Sequence, residues 1–388
     1  MKYISRSVFI LSLVSLFTDT ASEMLYPIMP LYLKSIGFSV VLIGVLEGLA
    51  EALAGLSKGY FGKLSDQSKK RLPFVQIGYT LSAITKPMMA VSVLPLWIFF
   101  TRSIDRLGKG VRSAARDAML SDSSDVNNKA KVFGFHRSMD TLGAVIGPLI
   151  ALSFLYYYPN KYIYLFYIAF IPGILAVIST LILKEKSNTV DTKKYDYNFF
   201  SFLSYWKNSH ANYKKLIIAL LLFTLVNSSD VFLLLKAKEA GISDTYLIGV
   251  YIFYNLIYAL FAFPLGIIAD KIGMKKILVF GLIMFSLSYY FISKSTITLH
   301  FIGVFLLYGI YAAATEGISK AWISNIVTKN ETATAIGLYT SFQSIATMLA
   351  STLTGIIWYK FGSSIAFTIT SISTLLIASF VFSIKEKN

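Results

Sequence analysis

Twelve apolar stretches, each long enough to cross a lipid bilayer as a helix, follow one another along the 388 residues of this chain. A helix needs about 20 predominantly apolar residues to span the hydrocarbon core. Because the bilayer interior offers no water to backbone polar groups, such stretches have to be helical. The sequence therefore predicts an all-α polytopic membrane protein. Its predicted spans 1 to 12 cover residues 8–33, 40–61, 73–93, 95–117, 131–157, 162–183, 215–236, 245–269, 276–293, 298–326, 333–358 and 363–384.

The charge composition agrees with a membrane protein and excludes two other classes. Only 14% of the residues are charged, whereas a soluble chain of this length carries roughly a quarter. The 36 Lys and Arg residues outnumber the 20 Asp and Glu residues and leave a net charge of +16, which alone would suggest nucleic acid. These bases punctuate apolar runs and do not cluster in polar modules, so we expect no nucleic-acid partner.

The longest polar break divides the predicted spans into six and six. We predict an N-terminal six-helix bundle at 1–183, a cytoplasmic central loop at 184–214 and a C-terminal six-helix bundle at 215–388. With the N-terminus inside, the cytoplasmic segments hold 22 Lys and Arg residues and the outer segments hold six. Basic loops stay on the cytoplasmic side. We therefore expect a multi-pass protein of the inner (cytoplasmic) membrane with both termini in the cytoplasm.

Residue types that mark enzymes are absent or scattered. The chain has no cysteine, and its three histidines, His136, His210 and His300, form no metal-binding motif. No phosphate-binding loop is present, because Leu64 follows Gly62-Lys63 where that motif needs Ser or Thr. We expect neither an enzyme nor a resident metal or cofactor, and we expect the protein to be a monomer.

An internal repeat relates the two halves. The segment Gly62-Lys-Leu-Ser-Asp66 after span 2 recurs as Gly266-Ile-Ile-Ala-Asp270 after span 8, at an offset of 204 residues. The same offset places Lys34-Ser-Ile-Gly-Phe-Ser onto Lys238-Glu-Ala-Gly-Ile-Ser at the ends of spans 1 and 7. Two markers with one offset indicate duplicated six-helix halves, an arrangement of transporters whose substrate site lies between the repeats.

The repeated segment resembles the loop motif G-x-x-x-D-x-x-G-x-R/K-R/K of the major facilitator superfamily. The second half matches it fully, while Ser68 or Lys69 replaces the second glycine in the first half. The resemblance implies the major facilitator fold, with twelve transmembrane helices in two six-helix repeats. It also implies a latch for one conformation, in which the glycine permits close helix contact and the aspartate accepts hydrogen bonds at a helix N-terminus. The latch residues are Gly62, Asp66, Arg71, Gly266, Asp270 and Lys275.

Two further segments resemble the efflux members of this superfamily. Span 5 contains Gly143-Ala-Val-Ile-Gly147-Pro148, which is similar to the G-x-x-x-G-P signature of antiporters. A proline inside a helix removes a backbone hydrogen bond and bends the helix. The end of span 1, Tyr26-Pro-Ile-Met-Pro-Leu-Tyr-Leu33, resembles the proton-coupled drug and metabolite exporters. The resemblance implies export driven by a proton gradient.

Sixteen ionisable residues, eight acids and eight bases, lie within the predicted spans and away from their ends. Each is costly in the bilayer unless it is paired or hydrated, so each is a functional candidate. Asp19 and Glu23 share a face of span 1 because they are four residues apart. In span 4, Arg106-Leu-Gly-Lys-Gly resembles the superfamily's R-x-x-Q-G pattern, whose arginine is tied to proton coupling. The proton-coupling candidates are Asp19, Glu23, Glu51, Arg106 and Asp140, with Asp19 or Asp140 as the proton carrier.

The leading hypothesis is a proton-coupled antiporter that exports a small organic molecule by alternating access. The alternative is an exporter or exchanger of an anionic metabolite, a phosphate ester or a carboxylate, with span 4 and span 5 arginines as counter-ions. Both hypotheses leave substrate contacts to polar and aromatic groups in the second half. The candidate substrate-binding residues are Arg102, Arg137, Tyr251, Tyr254, Asn255 and Glu316.

Overall fold

The computed structural model describes residues 4–185, 197–295 and 297–384, and part of the predicted central loop lies outside them. The described residues are helical and contain no strand. Fifteen α-helices occur among them: α1 (Arg6–Leu25), α2 (Met29–Ser35), α3 (Val40–Ser68), α4 (Leu72–Met88), α5 (Pro95–Asp122), α6 (Lys129–Tyr157), α7 (Tyr162–Leu181), α8 (Ser204–Asn208), α9 (Ala211–Val226), α10 (Val231–Glu239), α11 (Asp244–Ile272), α12 (Met274–Lys294), α13 (Thr298–Ile326), α14 (Thr332–Phe361) and α15 (Ser363–Ser383).

These helices reproduce the twelve predicted spans in order. Eight helical segments of the described chain are apolar enough by length and composition alone to cross a membrane. The predicted span 4, which corresponds to α5, is one of the predicted spans that are not among these eight, because it carries the densest run of charged residues. Spans 1 and 7 are each made of two helices, and the short α8 precedes span 7. The protein is a multi-pass membrane protein with two six-span repeats.

Two of the spans predicted as continuous helices are broken. Span 1 is interrupted at residues 26–28, where Pro27 has no N–H group to donate to the helix. Span 7 is interrupted between Val226 and Val231, where the backbone of Asn227 is extended. The apolar pattern did not reveal these breaks, because hydropathy reports the length of a span and not the continuity of its helix.

The repeated motif is also more helical than predicted. We expected Gly62 to Arg71 to form a loop, but α3 continues to Ser68 and α11 continues to Ile272. In the second half the chain then turns at Gly273, where φ is +107°. Lys69 occupies the same place in the first half with φ of +52°. Lys69 therefore has a left-handed backbone conformation, which glycine adopts without steric cost.

The 204-residue repeat is visible in the backbone. Gly37 and Gly241 both have positive φ, +94° and +82°. Two residues later, Ser39 and Ser243 are the N-cap residues of α3 and α11. Each serine side chain accepts a hydrogen bond from the backbone N–H of the residue three positions further along the chain. The two halves therefore use the same glycine turn and the same serine N-cap to enter their second span.

The chain forms two compact units. Unit 1 consists of Met1–Ser124, Met139–Lys207 and Val327–Ser341, and unit 2 consists of Asp125–Ser138, Asn208–Ile326 and Phe342–Asn388. The first turns of α6 thus belong to unit 2, and those of α14 belong to unit 1. The predicted bundle bounds at residues 183 and 215 stay a prediction.

Within unit 1, α5 packs against α3 and α4, and α7 packs against α1 and α4. Met24, Leu25 and Met29 are buried in a cluster around the α1–α2 break. Tyr32 of α2 meets Phe166 of α7 edge to face, with ring centroids 5.0 Å apart. This apolar packing holds α1 and therefore fixes where its acidic side chains lie.

Within unit 2, α12 packs against α13 and α15, α13 packs against α11, and α15 packs against α9. The core is aromatic: Phe285 stacks on Tyr289 at 4.2 Å and meets Tyr311 at 4.7 Å. Hydroxyl groups add polar contacts, since Ser286 and Ser371 each donate to the carbonyl of the other at 2.9 and 2.8 Å. Such small polar residues allow membrane helices to approach closely.

Candidate functional site

A pair of carboxyl groups lies in unit 1 where α1 meets α6. The carboxyl groups of Asp19 of α1 and Asp140 of α6 are close enough to interact with each other. The hydroxyl of Ser15, one turn before Asp19, donates to Asp140. The structure therefore brings together the two residues that the sequence selects as proton carriers.

The glycines of the antiporter-like signature in α6 allow α1 and α6 to approach each other closely at this pair. A Cβ atom added to Gly143 would lie 2.5 Å from the carbonyl oxygen of Leu16 and 3.1 Å from the Cβ of Asp19. One added to Gly147 would lie 2.6 Å from the carbonyl oxygen of Thr20. Real side-chain atoms do not approach so closely, so these positions need glycine. Pro148 follows inside α6, which continues through it.

A base other than the predicted one reaches the carboxyl pair through a serine hydroxyl. Arg116 donates to Ser15 Oγ at 3.3 Å, and its guanidinium also binds Asp117 at 2.9 Å. Arg106, which the sequence proposes as the partner of the proton carrier, lies 3.7 Å from Glu51. Sequence spacing along α5 did not distinguish these arginines, because α5 carries several bases on one side. The rotation of α5 about its axis decides which base meets which acid.

A second buried charge cluster lies between α4 and α5. Asp105 accepts a hydrogen bond from Lys86 Nζ at 3.2 Å and lies 3.6 Å from Arg102 Nη1. The guanidinium of Arg112 donates to Ser82 Oγ at 2.6 Å and lies 4.6 Å from the centroid of the Tyr79 ring. Arg102 is therefore in an ion pair within unit 1.

The remaining predicted substrate residues lie in unit 2. Arg137 Nη2 lies 3.3 Å from Glu316 Oε2. Tyr251 and Tyr254 are one turn apart on α11, with ring centroids separated by 5.8 Å. Asn255 donates from Nδ2 to the carbonyl oxygen of Tyr251 at 3.0 Å.

One acid of unit 2 is absent from the predicted site. Asp230 lies at the break between α9 and α10, where Tyr308 donates to its carboxylate at 2.5 Å and Tyr254 donates at 3.3 Å. Tyr308 also packs against Tyr311, with ring centroids 5.2 Å apart. A lone aspartate within an otherwise apolar span was the signal that would have placed Asp230 among the site residues.

The first copy of the repeated motif forms a network in unit 1, which we call the Asp66 cluster (Asp66, Arg71, Asp122 and Thr334). Asp66 accepts hydrogen bonds from the Thr334 N–H at 2.7 Å, the Thr334 hydroxyl at 2.8 Å and Arg71 Nη2 at 3.0 Å. Arg71 also binds Asp122 and donates to the carbonyl oxygen of Lys329 at 2.7 Å. Asp66 thus occupies the N-terminus of α14, as its motif predicts.

The second copy repeats this geometry in unit 2. Asp270 accepts from the N–H groups of Ala130 at 2.9 Å and Lys131 at 2.8 Å, at the N-terminus of α6. A Cβ atom added to Gly266 would lie 2.5 Å from the carbonyl oxygen of Ala130, and one added to Gly62 would lie equally close to that of Ala333. Lys275 donates to the carbonyl oxygen of Ile384 at 3.1 Å.

The other proton-coupling candidate, Glu23, is one turn beyond Asp19 on α1 and lies beside Gly147. Among the described residues, no group of three or more His, Cys, Asp and Glu side chains is arranged to hold a metal ion. The site therefore consists of paired acids and bases within membrane-spanning helices.

Two six-span repeats with embedded charged groups define a membrane transporter. A model of the Major Facilitator Superfamily matches residues 11–253 and again residues 231–388. The chain belongs to this superfamily, and each half carries the repeated motif described above.

Two curated relatives differ in how much of the chain they match. An uncharacterized MFS-type transporter of Methanocaldococcus jannaschii is 34% identical over 365 residues, which are 92% of this chain and 89% of the relative. The quinolone resistance protein NorA of Staphylococcus aureus is 28% identical over 171 residues, 43% of each chain. The first similarity extends over both halves, whereas the second covers less than half of each protein.

Two solved structures share the fold. The human organic anion transporter MFSD10 (TETRAN) superposes with a TM-score of 0.81 at 14% identity, over 97% of this chain and 99% of that chain. The transporter FucP, in its outward conformation, superposes with a TM-score of 0.80 at 12% identity, over 99% of this chain and 100% of that chain. At these identities the likeness concerns the fold alone.

Proposed function

We propose that the protein is a proton-coupled antiporter that exports a small organic molecule by alternating access. It would reside in the cytoplasmic membrane as a monomer with both termini in the cytoplasm. The observation that carries this proposal is the close approach of the carboxyl groups of Asp19 and Asp140 where α6 packs on α1.

Two negative charges this close inside a membrane disfavour double ionisation of the Asp19–Asp140 pair. An ionised carboxylate only accepts hydrogen bonds, so the two groups can bond to each other only when one of them is protonated. On this proposal the pair holds one proton, and its release would let the carboxylates separate or recruit Arg116 through Ser15.

Export is supported by two observations on the first half. The glycines of the antiporter-like signature pack directly on α1 at the carboxyl pair, so the signature and the proposed proton site are one structural feature. One relative, which matches 43% of this chain, is named as a quinolone resistance protein. Both favour expulsion of a substrate in exchange for protons.

The anionic-metabolite alternative requires arginines that are available to a substrate. Arg102 lies beside Asp105, Arg106 beside Glu51 and Arg137 beside Glu316, at 3.6, 3.7 and 3.3 Å. Each of these three arginines already has a carboxylate partner, which weighs against their serving as counter-ions for an anionic substrate.

Substrate contacts are proposed for the aromatic and polar residues of unit 2. Tyr251, Tyr254, Asn255 and Glu316 retain this assignment, and the position of Asp230 adds a fifth residue to it. Tyrosine rings supply contact area and hydroxyl groups, and the Asp230 carboxylate, which accepts from Tyr308 and Tyr254, supplies negative charge, so this group suits neutral or cationic organic molecules.

The Asp66 cluster and its Asp270 counterpart are proposed as latches that close in one conformation and open in the other. Each aspartate binds the exposed N–H groups at the start of a helix, where the helix dipole favours a negative charge. Because these contacts are hydrogen bonds to a helix end and not deep apolar packing, they suit an interaction that forms and breaks during a cycle.

The first latch should respond to pH. Burial raises the pKa of Asp66 from 3.8 to about 6, although Arg71 and the Thr334 hydrogen bonds act in the opposite direction. If Asp66 meets water when the latch opens, the closed form binds the proton more tightly. Acidification from about pH 7 to about pH 5 should then favour the closed form, with the gain complete below the ordinary aspartate pKa.

Hydrogen exchange tests this expectation. The protection factor of the Thr334 amide, corrected for intrinsic exchange, should rise as pH falls through about 6. The variant Asp66→Asn should remove that dependence, because it cannot titrate. Equal protection at about pH 5 and about pH 7 in the wild-type protein would contradict the expectation.

Proteoliposomes test the proposed function. We expect Asp19→Asn and Asp140→Asn each to reduce pH-gradient-driven flux of ethidium, an organic cation, roughly tenfold or more. The exposed carboxylate Asp125 supplies a control, since Asp125→Asn leaves both groups of the pair intact. Full gradient-driven flux in both test variants would refute proton transfer by this pair.

The same vesicles distinguish the alternative. If carboxyfluorescein, an organic anion, is transported while ethidium is not, and Arg102→Ala or Arg106→Ala abolishes that transport, the anionic-metabolite hypothesis replaces the proposed one. An intact flux of carboxyfluorescein in both arginine variants would exclude these side chains as substrate counter-ions.

A further inference from the structure

Both described ends of the central loop lie against the Asp66 cluster in unit 1. At the first end, Glu185 accepts the N–H of Arg71 at 2.7 Å through Oε1 and the N–H of Leu72 at 2.9 Å through Oε2. These N–H groups are at the start of α4, whose own N-cap residue, Arg71, makes no side-chain cap. Glu185 therefore supplies the missing cap from 114 residues away along the chain.

This cap fixes the backbone of Arg71, whose side chain connects the members of the Asp66 cluster. The backbone of Arg71 is fixed by Glu185, while its guanidinium reaches Asp66, Asp122 and the carbonyl oxygen of Lys329. A guanidinium can make several hydrogen bonds at once only if its backbone is correctly placed, because the fork geometry is rigid. The cap and the latch contacts therefore act through one residue.

The second end of the loop docks on α3. Phe202 is only 1% exposed, and a Cβ atom added to Gly59 would lie 2.5 Å from its ring. Lys63 donates from Nζ to the carbonyl oxygen of Ser201 at 3.1 Å. Phe199 stacks on Tyr60 of α3, with ring centroids 5.2 Å apart.

Tyr205, three residues after Phe202, interacts electrostatically with the cluster. Burial raises the pKa of the Tyr205 hydroxyl, and the negative charges of Glu331 and Asp66 raise it further. The described ends of the loop thus contact α3 and the start of α4, two of the parts of the chain that the Asp66 cluster connects.

We propose that the two described ends of the central loop act as a clasp that keeps the first latch closed, with Glu185 and Phe202 as its positioning residues. Detaching either end would remove contacts from the closed form and leave the open form unaffected. The proposal rests on the proposed opening and closing of the Asp66 cluster, but it does not depend on which ion drives transport. A change in the loop would thereby be transmitted to the transport cycle.

The absence of cysteine from the wild-type chain makes a thiol reporter straightforward. Ala118 of α5 is fully buried in a small cluster with Ala114 and with Ala333, which immediately precedes Thr334. A cysteine introduced as Ala118→Cys should react slowly with a membrane-impermeant maleimide while the latch is closed. A second single-cysteine reporter, Ala151→Cys, lies in the separate apolar cluster around α1, α2 and α7 and reports general loosening.

The experiment compares labelling rates of the full-length protein in proteoliposomes, without substrate or pH gradient. Glu185→Gln and Phe202→Ala should each accelerate labelling at position 118, roughly threefold to thirtyfold for the lost cap. Asp125→Asn, in an exposed turn, should not change the rate. Labelling at position 151 should stay slow in all variants.

Two outcomes would overturn the clasp. If Glu185→Gln and Phe202→Ala both label at the parental rate, the loop does not hold the latch. If labelling at positions 118 and 151 rises in parallel, the two residues only stabilise the fold. Proton transfer by Asp19 and Asp140 is tested separately by flux, so failure of one proposal leaves the other measurable.

Discussion

Replacing Gly143 by alanine is expected to reduce gradient-driven transport roughly tenfold or more, because it separates the two carboxyl groups of the proposed proton site. The new Cβ atom would lie 2.5 Å from the carbonyl oxygen of Leu16 and 2.9 Å from the N–H nitrogen of Thr20. Both are backbone atoms, so α1 has to move as a unit, and Asp19 moves with it. Overpacking of this kind costs about 1–3 kcal/mol of stability.

A matched glycine provides the control. Gly303 of α13 is also helical, but an added Cβ atom there meets no atom within 4 Å. Gly303→Ala should therefore raise the stability by about 0.5–1 kcal/mol, as alanine does in an open helix position, and leave transport intact. Flux in proteoliposomes and thermal unfolding in detergent measure both variants. Wild-type flux in Gly143→Ala would show that close contact between α1 and α6 is not required.

Replacing Asp105 by asparagine is expected to destabilise the protein by about 3–5 kcal/mol, the largest loss of stability that we predict for a single substitution. Asparagine has nearly the same shape, so the effect arises from charge and not from a cavity. Lys86 and Arg102, at 3.2 and 3.6 Å, would lose the carboxylate that balances them in a buried setting. Thermal unfolding of the purified protein in detergent would reveal this loss.

A second substitution shows whether unbalanced charge is the cause. Adding Lys86→Met to Asp105→Asn removes one of the two unbalanced buried positive charges and should restore part of the lost stability. A double variant that unfolds as readily as Asp105→Asn would indicate that hydrogen bonds of Asp105, such as that from Thr85 at 3.4 Å, matter more than its charge. An unchanged unfolding temperature in Asp105→Asn itself would contradict the prediction.

Local signals in the sequence predicted the large-scale fold. Span length predicted the twelve crossings, and the 204-residue offset predicted the two repeats, whose markers at Gly37 and Gly241 both have positive φ. The resemblance of the motif to its family implied that Asp66 and Asp270 bind helix N-termini. Hydropathy and repeated residues are read directly along the chain, whereas the contacts of Asp66 and Asp270 with distant helices came from the family resemblance.

Contacts between distant helices were harder to predict. Spacing on α1 placed Asp19 and Glu23 on one face, but it did not reveal that Asp19 meets Asp140 or that Arg116 approaches them through Ser15. Those contacts depend on the rotation and depth of helices that are far apart in sequence. Glu185 was not considered for the same reason, because a carboxylate in a loop shows no partner until α4 is placed beside it.

The two helix breaks show how the duplicated halves have diverged. In the first half the interruption lies beside Pro27, while in the second half it lies at Asn227 to Asp230, where no proline occurs. The breaks nevertheless fall within three residues of positions related by the 204-residue offset. The interruption is therefore common to both repeats, with an apolar bend beside a proline in one half and a polar bend that carries an acid in the other.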